Sequence, residues 1–321
     1  MDRIKFIKKP RLKDPYFIVA WPGMGEVAIK AAAYMADKLK AEEFASINSQ
    51  DFFYLMESYV REGIINLPEW PANKFYFHKG KAGAADLILF ISDAQPDLAR
   101  AQEYCDLILS VARFYKARRI ISFAAMPQAI DHSQPPNVWF TATNQGIKDE
   151  LTKQNLQVIN DGHISGLNGL FLGMAKKHGM DGFCLLGEIP LYTIQIENPK
   201  ASYAVLEALS RIIGTTMDFS ELLEQANALD GQINNLLEYL KVGPSPGPIG
   251  EEEIDRIRKS LSQLTKLPIS IKEKIEQLFS QAKTDISKAN ELKTELDKWN
   301  VYKDYEDRFL DLFKKQKDQN N

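Results

Sequence analysis

Residues 16–28 read YFIVAWPGMGEVA: an unbroken apolar run, a proline, two glycines spaced by one residue, and the first turn of a helical pattern. Tyr16 to Trp21 has no polar break, which suits a strand buried on both faces of a sheet, and Pro22-Gly23 ends it. Beyond the glycines, Val27, Ala31, Met35 and Leu39 recur every four positions, as on one face of a helix. A strand, a glycine turn and a helix in that order open an α/β layer. The glycines permit close backbone approach, and the helix start brings unpaired N–H groups and a positive dipole end. Gly23, Met24 and Gly25 are therefore candidate ligand-binding residues for a phosphate or carboxylate. The same glycines also suit a turn that only seats the helix on the sheet, and both readings stand. The G-x-G-x-x-A register is met by Gly23, Gly25 and Ala28, but no acidic residue ends the next strand, Phe44 to Ile47, as a dinucleotide site requires. No Lys-Ser/Thr pair follows the glycines, so a Walker A loop is excluded.

The alternation continues outward. Asp86 to Ser92 (DLILFIS), Arg119 to Ala124 (RIISFA) and Phe183 to Leu186 (FCLL) read as further buried strands. Between them, Ala101, Tyr104, Cys105, Ile108, Val111, Ala112 and Tyr115 trace one helical face, and helices are expected at 145–154, 166–178 and 201–213. The fold class is α/β, a mostly parallel or mixed sheet with helices on both faces, in which ligands meet the C-terminal ends of strands.

From residue 251 the character changes. Residues 251–321 carry 15 basic and 15 acidic side chains in 71 positions, contain no glycine, and have one proline, Pro268. Long helices suit that composition. Residues 243–250, GPSPGPIG, read as a linker. Before it, Leu222, Ala226, Leu229, Ile233, Leu236 and Leu240 alternate steps of four and three, as in a coiled-coil seam; after it, Ile254, Ile257, Leu261 and Leu264 repeat the pattern. Leu292, Leu296, Trp299, Tyr302, Tyr305, Phe309 and Leu312 form a later stripe. The expected domains are an α/β/α core over 1–215 and a helical hairpin or bundle over 216–321, packing on itself or on a neighbouring subunit.

The 321 residues carry 40 Lys and Arg against 43 Asp and Glu, a formal charge of -3. Nothing in that balance draws the chain to nucleic acid or acidic membranes. Cys105 and Cys184 both sit in apolar runs, cannot form a disulfide framework, and suit a reducing cytoplasm. No stretch matches a membrane span, and the first 15 residues lack the apolar core of a signal peptide, so an unexported protein is expected.

Other candidate groups follow strands or open helices. Gly166, Asn168 and Gly169 precede the helical pattern containing Leu170, Met174 and Ala175, where Asn168 can cap the helix or contact a ligand. Asp93 and Glu188 fall at expected strand ends, where an α/β enzyme places an acid or base, and where carboxylates also bind loop amides. The histidines His78, His132, His163 and His178 have no ligand spacing, so no metal is expected. No G-x-S-x-G elbow is present. No cofactor is expected either.

Taken in order, FIVAWPGMGEVA (17–28), SDAQP (92–96) and ISGLNGLFLGMAKKHGMDGFCLLGEIPLY (164–192) resemble the proteasome assembly chaperone 2 family over residues 14 to 215. Pro22, Gly23, Gly25, Gly166, Leu167, Asn168, Gly169 and Glu188 match the family pattern. The resemblance implies a three-layer α/β/α core similar to the purine nucleoside phosphorylase fold, without implying that activity. It also implies a homo-oligomer, with three subunits the expectation from the fold's relatives, and a protein partner. Chaperone members dock through a C-terminal hydrophobic-Tyr-any tripeptide; this sequence ends Gln319-Asn320-Asn321, so that route is not expected here. Two functions follow: a non-catalytic chaperone-like or scaffolding protein, or a protein or enzyme binding a phosphate- or carboxylate-bearing small molecule at the glycine turn.

Overall fold

The computed structural model describes residues 3–55, 58–80, 84–242, 269–284 and 288–298, together with 302, 305, 306, 308–310 and 312. The expected linker at 243–250, the heptad positions Ile254 to Leu264, Trp299 and the last three residues lie outside the described residues, as do the side chains of Leu236 and Leu240.

Two compact units are present, Met1–Ile254 and Asp255–Asn321. The first is built on a nine-stranded sheet in the order β1-β3-β6-β7-β2-β8-β11-β9-β10. Its centre is parallel: β7 (Leu87–Ser92), β2 (Tyr16–Ala20), β8 (Arg119–Gln128) and β11 (Gly182–Pro190) run side by side. These are the four runs whose sequence is almost wholly apolar, because helices cover them on both faces. The flanks are mostly antiparallel, with β6 (Asn73–His78), β3 (Glu42–Ile47) and β1 (Ile4–Phe6) on one side and β9 (Val138–Ala142) with the short β10 (Gln157–Val158) on the other.

Helices fill both faces. On one, α2 (Ala101–Phe114) and α4 (Leu167–Lys177) pack with Phe17, Val19 and Trp21 of the β2 segment in a core rich in phenylalanine. On the other, α1 (Val27–Lys38) and α5 (Pro199–Ile213) pack together. There Gly187 is required, since a Cβ at that position would lie 2.9 Å from the Ala201 carbonyl oxygen. Helix α3 (Gln145–Thr152) packs on β9 and β10.

Helix α6 (Ser220–Val242) begins five residues after the core boundary expected from sequence, and it packs on α5 within the first unit. Leu222, Ala226 and Ile233 of its heptad seam are buried there, so these positions are covered by the chain's own core. The second unit contains helices Ile269–Thr284 and Ala289–Lys298, with Ile275, Phe279, Leu292, Leu296 and Phe309 at its centre. The aromatic stripe is used inside this unit: Tyr305 stacks on Phe279 at 5.8 Å, and Arg308 lies over the same ring while pairing with Glu276 at 2.5 Å. Among the described residues, no helix is long and apolar enough to cross a membrane, and no group of His, Cys, Asp or Glu side chains could hold a metal ion.

Candidate functional site

The glycine turn is a short 3-10 turn, Met24–Glu26, between β2 and α1. Gly25 has φ +62°, a left-handed conformation suited to glycine, and it is buried. Both of its backbone groups are occupied: its N–H donates to the Ile194 carbonyl at 2.8 Å, and its carbonyl accepts from the Asn198 N–H at 2.8 Å. The turn is thereby bonded to the segment leading from β11 into α5. Glu26, half-buried at the start of α1, has its carboxyl held above the usual range first by burial and then by the charge of Glu197, with Lys30 opposing.

Gly23 faces α4. A Cβ there would meet the Asn168 amide nitrogen at 3.5 Å. Asn168 is 5% exposed, and its amide completes a reciprocal pair with the end of β2: Trp21 N–H donates to Oδ1 at 3.1 Å and Nδ2 donates to the Trp21 carbonyl at 3.0 Å. Gln95 adds a second strap, donating to the Pro22 carbonyl at 2.9 Å and accepting from the Leu167 N–H, in the first turn of α4, at 3.2 Å. The glycines around Asn168 make room for these straps. Gly166 has φ +78°, and a Cβ at Gly169 would lie 2.5 Å from the Ile164 carbonyl oxygen. The structure thus brings Gly23, Gly166, Asn168 and Gly169 together.

Asp93 and Glu188 are bonded elsewhere. Asp93 exchanges two bonds with Ala72, its N–H to the Ala72 carbonyl at 3.0 Å and the Ala72 N–H to its Oδ2 at 3.1 Å. Glu188 lies inside β11 rather than at its end, because the parallel ladder with β8 runs on to Pro190↔Gln128. Its buried carboxylate accepts from the Asn137 N–H and Nδ2, both at 2.9 Å, and from the Trp139 indole N–H at 2.7 Å.

Two polar clusters are invisible in the sequence. Ser92 Oγ donates to Asn73 Oδ1 at 2.8 Å, Asn73 Nδ2 donates to Ser49 Oγ at 2.8 Å, and Tyr104 joins them beneath Trp21. His132, 6% exposed, lies between Tyr192 and α6: its Nδ1 is 2.9 Å from Tyr192 Oη and its Nε2 is 2.9 Å from Asn234 Oδ1. Asn234 Oδ1 only accepts, so the Nε2 side of the ring donates to it. Lys200 donates to the His132 carbonyl at 2.5 Å and pairs with Asp230 of α6. The i, i+4 spacing of Asp230 and Asn234 was the available signal, but it acquires meaning only once their partners are known.

Beside α4 lies an open groove of about 440 Å³, lined among others by Leu98, Ile164, Gly166, Gly169, Leu170 and Gly173. It is largely apolar, with Lys176 among the residues that line it.

A mixed α/β sheet flanked by helices, the end of its central strand β2 tied to α4 through a buried asparagine and followed by a glycine turn bonded to the start of α5, defines the class. The chain belongs to the PAC2 family, whose model matches residues 17–237. An uncharacterized protein of Methanocaldococcus jannaschii is 24% identical over 249 residues, covering 75% of this chain and 92% of that one. Among solved structures, Pyrococcus furiosus PbaB, described as an archaeal proteasome activator, is 28% identical with a TM-score of 0.62 over 73% of this chain and 97% of its own. Pyrococcus furiosus PbaA, described as an archaeal homolog of proteasome-assembly chaperone, is 24% identical with a TM-score of 0.56 over 74% of this chain and 98% of its own.

Proposed function

We propose that this chain is a non-catalytic, homo-oligomeric chaperone-like or scaffolding protein that presents surfaces to a protein partner. The carrying observation is how the family-pattern residues are used. Asn168, Glu188 and Gly25 spend their polar groups on Trp21, on Asn137 and Trp139, and on Ile194 and Asn198. A residue set that holds strands to helices keeps a scaffold in shape; a catalytic set leaves a nucleophile or base facing a reactant. Family membership and the likeness to PbaB point to a proteasome-type assembly as the partner. Cys105 and Cys184 are free and buried, which fits a reducing cytoplasm.

The test is native mass spectrometry of the gently purified full chain, followed by the same measurement with proteasome α subunits of its own organism. The reading expects a homo-oligomer without added mass that forms a discrete complex with those subunits. A nucleotide-sized or other discrete mass retained on each subunit would overturn it in favour of a ligand-binding protein or enzyme at the glycine turn.

A further inference from the structure

Between Arg3 and Lys13 the sequence reads RIKFIKKPRLK, with six cations and no acid. The chain as a whole has a formal charge of -3, so this block of one sign is a local feature with its own electrostatic consequence. All six side chains are exposed. The segment begins as β1 at the edge of the sheet and then runs past the C-terminal end of α2 to β2. Lys9 Nζ lies 5.9 Å from the centre of the Phe114 ring, and the Arg118 N–H donates to the Pro15 carbonyl at 2.9 Å. Lys9, Arg11 and Lys13 thereby share one surface with the exposed Arg113, Lys116 and Arg118.

The acids nearby do not neutralise it. Glu42 is paired with Lys8, and Glu150 with Arg119 through two bonds of 2.7 Å. Asp86 is buried and accepts from the Lys13 and Gly80 backbone N–H groups at 2.7 and 2.9 Å. Asp14 is exposed beside Lys13 and opposes the six cations, none of which makes an ion pair among the described residues.

Ordinary structural reasons cover part of this charge. A lysine on an edge strand keeps other strands away, which accounts for Lys5, and cations at a helix C-terminus offset its dipole, which accounts for Arg113 and Lys116. Neither reason reaches Lys9, Arg11 and Lys13, which lie on the connection between β1 and β2. Like charges gathered there repel one another, and an anionic partner relieves that repulsion. The end of α2 presents carbonyl groups and the negative end of its dipole, which disfavours a phosphate backbone. Ile7 and Phe114, 63% and 49% exposed, stand among the cations as apolar footholds of the kind protein interfaces cover.

We infer that this face is a docking surface for an acidic segment of a partner protein, whose carboxylates meet Lys9, Arg11, Lys13 and the cations at the end of α2 while apolar side chains cover Ile7 and Phe114. The inference rests on the protein-partner reading above and names the chemistry of the segment that docks.

The experiment measures fluorescence anisotropy of a labelled peptide of mixed glutamate, aspartate and leucine, and of its glutamine and asparagine counterpart, against the full chain. Four samples are compared: wild type, Lys9→Glu/Lys13→Glu, Arg11→Glu/Arg113→Glu, and a control, Arg61→Glu/Arg211→Glu. Arg61 lies on β4 (Tyr59–Arg61), which with β5 (Ile64–Asn66) forms a separate two-stranded ribbon, and Arg211 lies on α5, so the control makes the same charge change elsewhere. All substituted positions are exposed, so circular dichroism and the unfolding midpoint are expected to be unchanged. Wild type and control are expected to bind the acidic peptide and not its neutral counterpart, with binding weakened by salt, and each of the other two variants is expected to bind about tenfold more weakly. No binding by wild type, a loss in one of those two variants only, or an equal loss in the control overturns the surface. Tighter binding of duplex DNA or phosphatidylserine vesicles than of the peptide overturns its assignment to a protein segment. The complex with proteasome α subunits is measured on the same samples. A complex that forms equally with all four overturns this surface as the contact and leaves the partner reading standing; no complex with any sample, while the peptide still discriminates among them, overturns the partner reading and leaves the surface.

Discussion

The side chain of Asn168 pairs with both backbone groups of Trp21, 147 residues earlier, through bonds of 3.1 and 3.0 Å. This two-bond strap holds the N-terminal turn of α4 to the end of the central strand, in a position sealed from water. Asn168→Leu removes both bonds and leaves a buried N–H and a buried carbonyl unpaired. The expected cost is ~2–5 kcal/mol, read as a lower denaturant midpoint at an unchanged slope.

Gly25 lies at φ +62° against Asn198 and Ile189, each 3.3 Å from where a Cβ would stand. Gly25→Val therefore strains the backbone and crowds two neighbours, and such a change cannot serve as a binding variant that spares the fold. Thermal unfolding is expected to show a loss of at least ~1–2 kcal/mol for Gly25→Val, and a smaller one for Gly25→Ala.

Glu188 accepts three hydrogen bonds within β11, two residues before its end. Replacing it with glutamine turns one acceptor into a donor that faces either the Trp139 indole N–H or the Asn137 amide. A destabilisation of ~1–3 kcal/mol is expected, accompanied by a change in tryptophan emission that Trp139→Phe abolishes. A reaction catalysed by Glu188 would instead show as lost turnover at unchanged stability.

The Glu26 carboxyl is raised above its ordinary value of 4.5 by burial and by Glu197. A folded value above the unfolded one stabilises the protein fully at pH below the unfolded value, and that contribution is lost as pH rises through the folded value. Glu26→Gln removes the dependence. Its melting temperature is expected to exceed wild type at neutral pH and to match it below about pH 4. The gain stays under ~0.5 kcal/mol, because water reaches much of the site.

Cys105 and Cys184 are fully buried, and burial pushes both thiols up to about 12. Neither is expected to react with an aromatic disulfide reagent in the native protein, and both are expected to react once denaturant is added. Fast labelling of the native chain would contradict this packing.

The central strands were legible because burial on both faces leaves a local mark, a nearly continuous apolar run, in YFIVAW, DLILFIS, RIISFA and FCLL. Strands β6 and β9 leave a weaker one. NKFYFH and VWFTA mix buried and half-buried positions, and polar side chains interrupt their apolar runs. The β4–β5 ribbon carries alternating signals on neither face, since no core lies beneath it. In α6, Leu222, Ala226 and Ile233 of a seam with the spacing of a coiled coil are buried within the first unit; a three-four alternation specifies one apolar helical face and says nothing about what covers it.

The sequence by itself determined the α/β class, the buried strands, the glycine turns and the family, since each is written in neighbouring residues through periodicity or backbone permission. Only the tertiary structure decided how the candidate side chains are used. Asn168 binds Trp21, Glu188 binds Trp139, and His132 bridges Tyr192 to Asn234. A hydrogen bond requires its partner within about 3 Å, and which partner arrives there is set by how distant segments of the chain come together in the sheet.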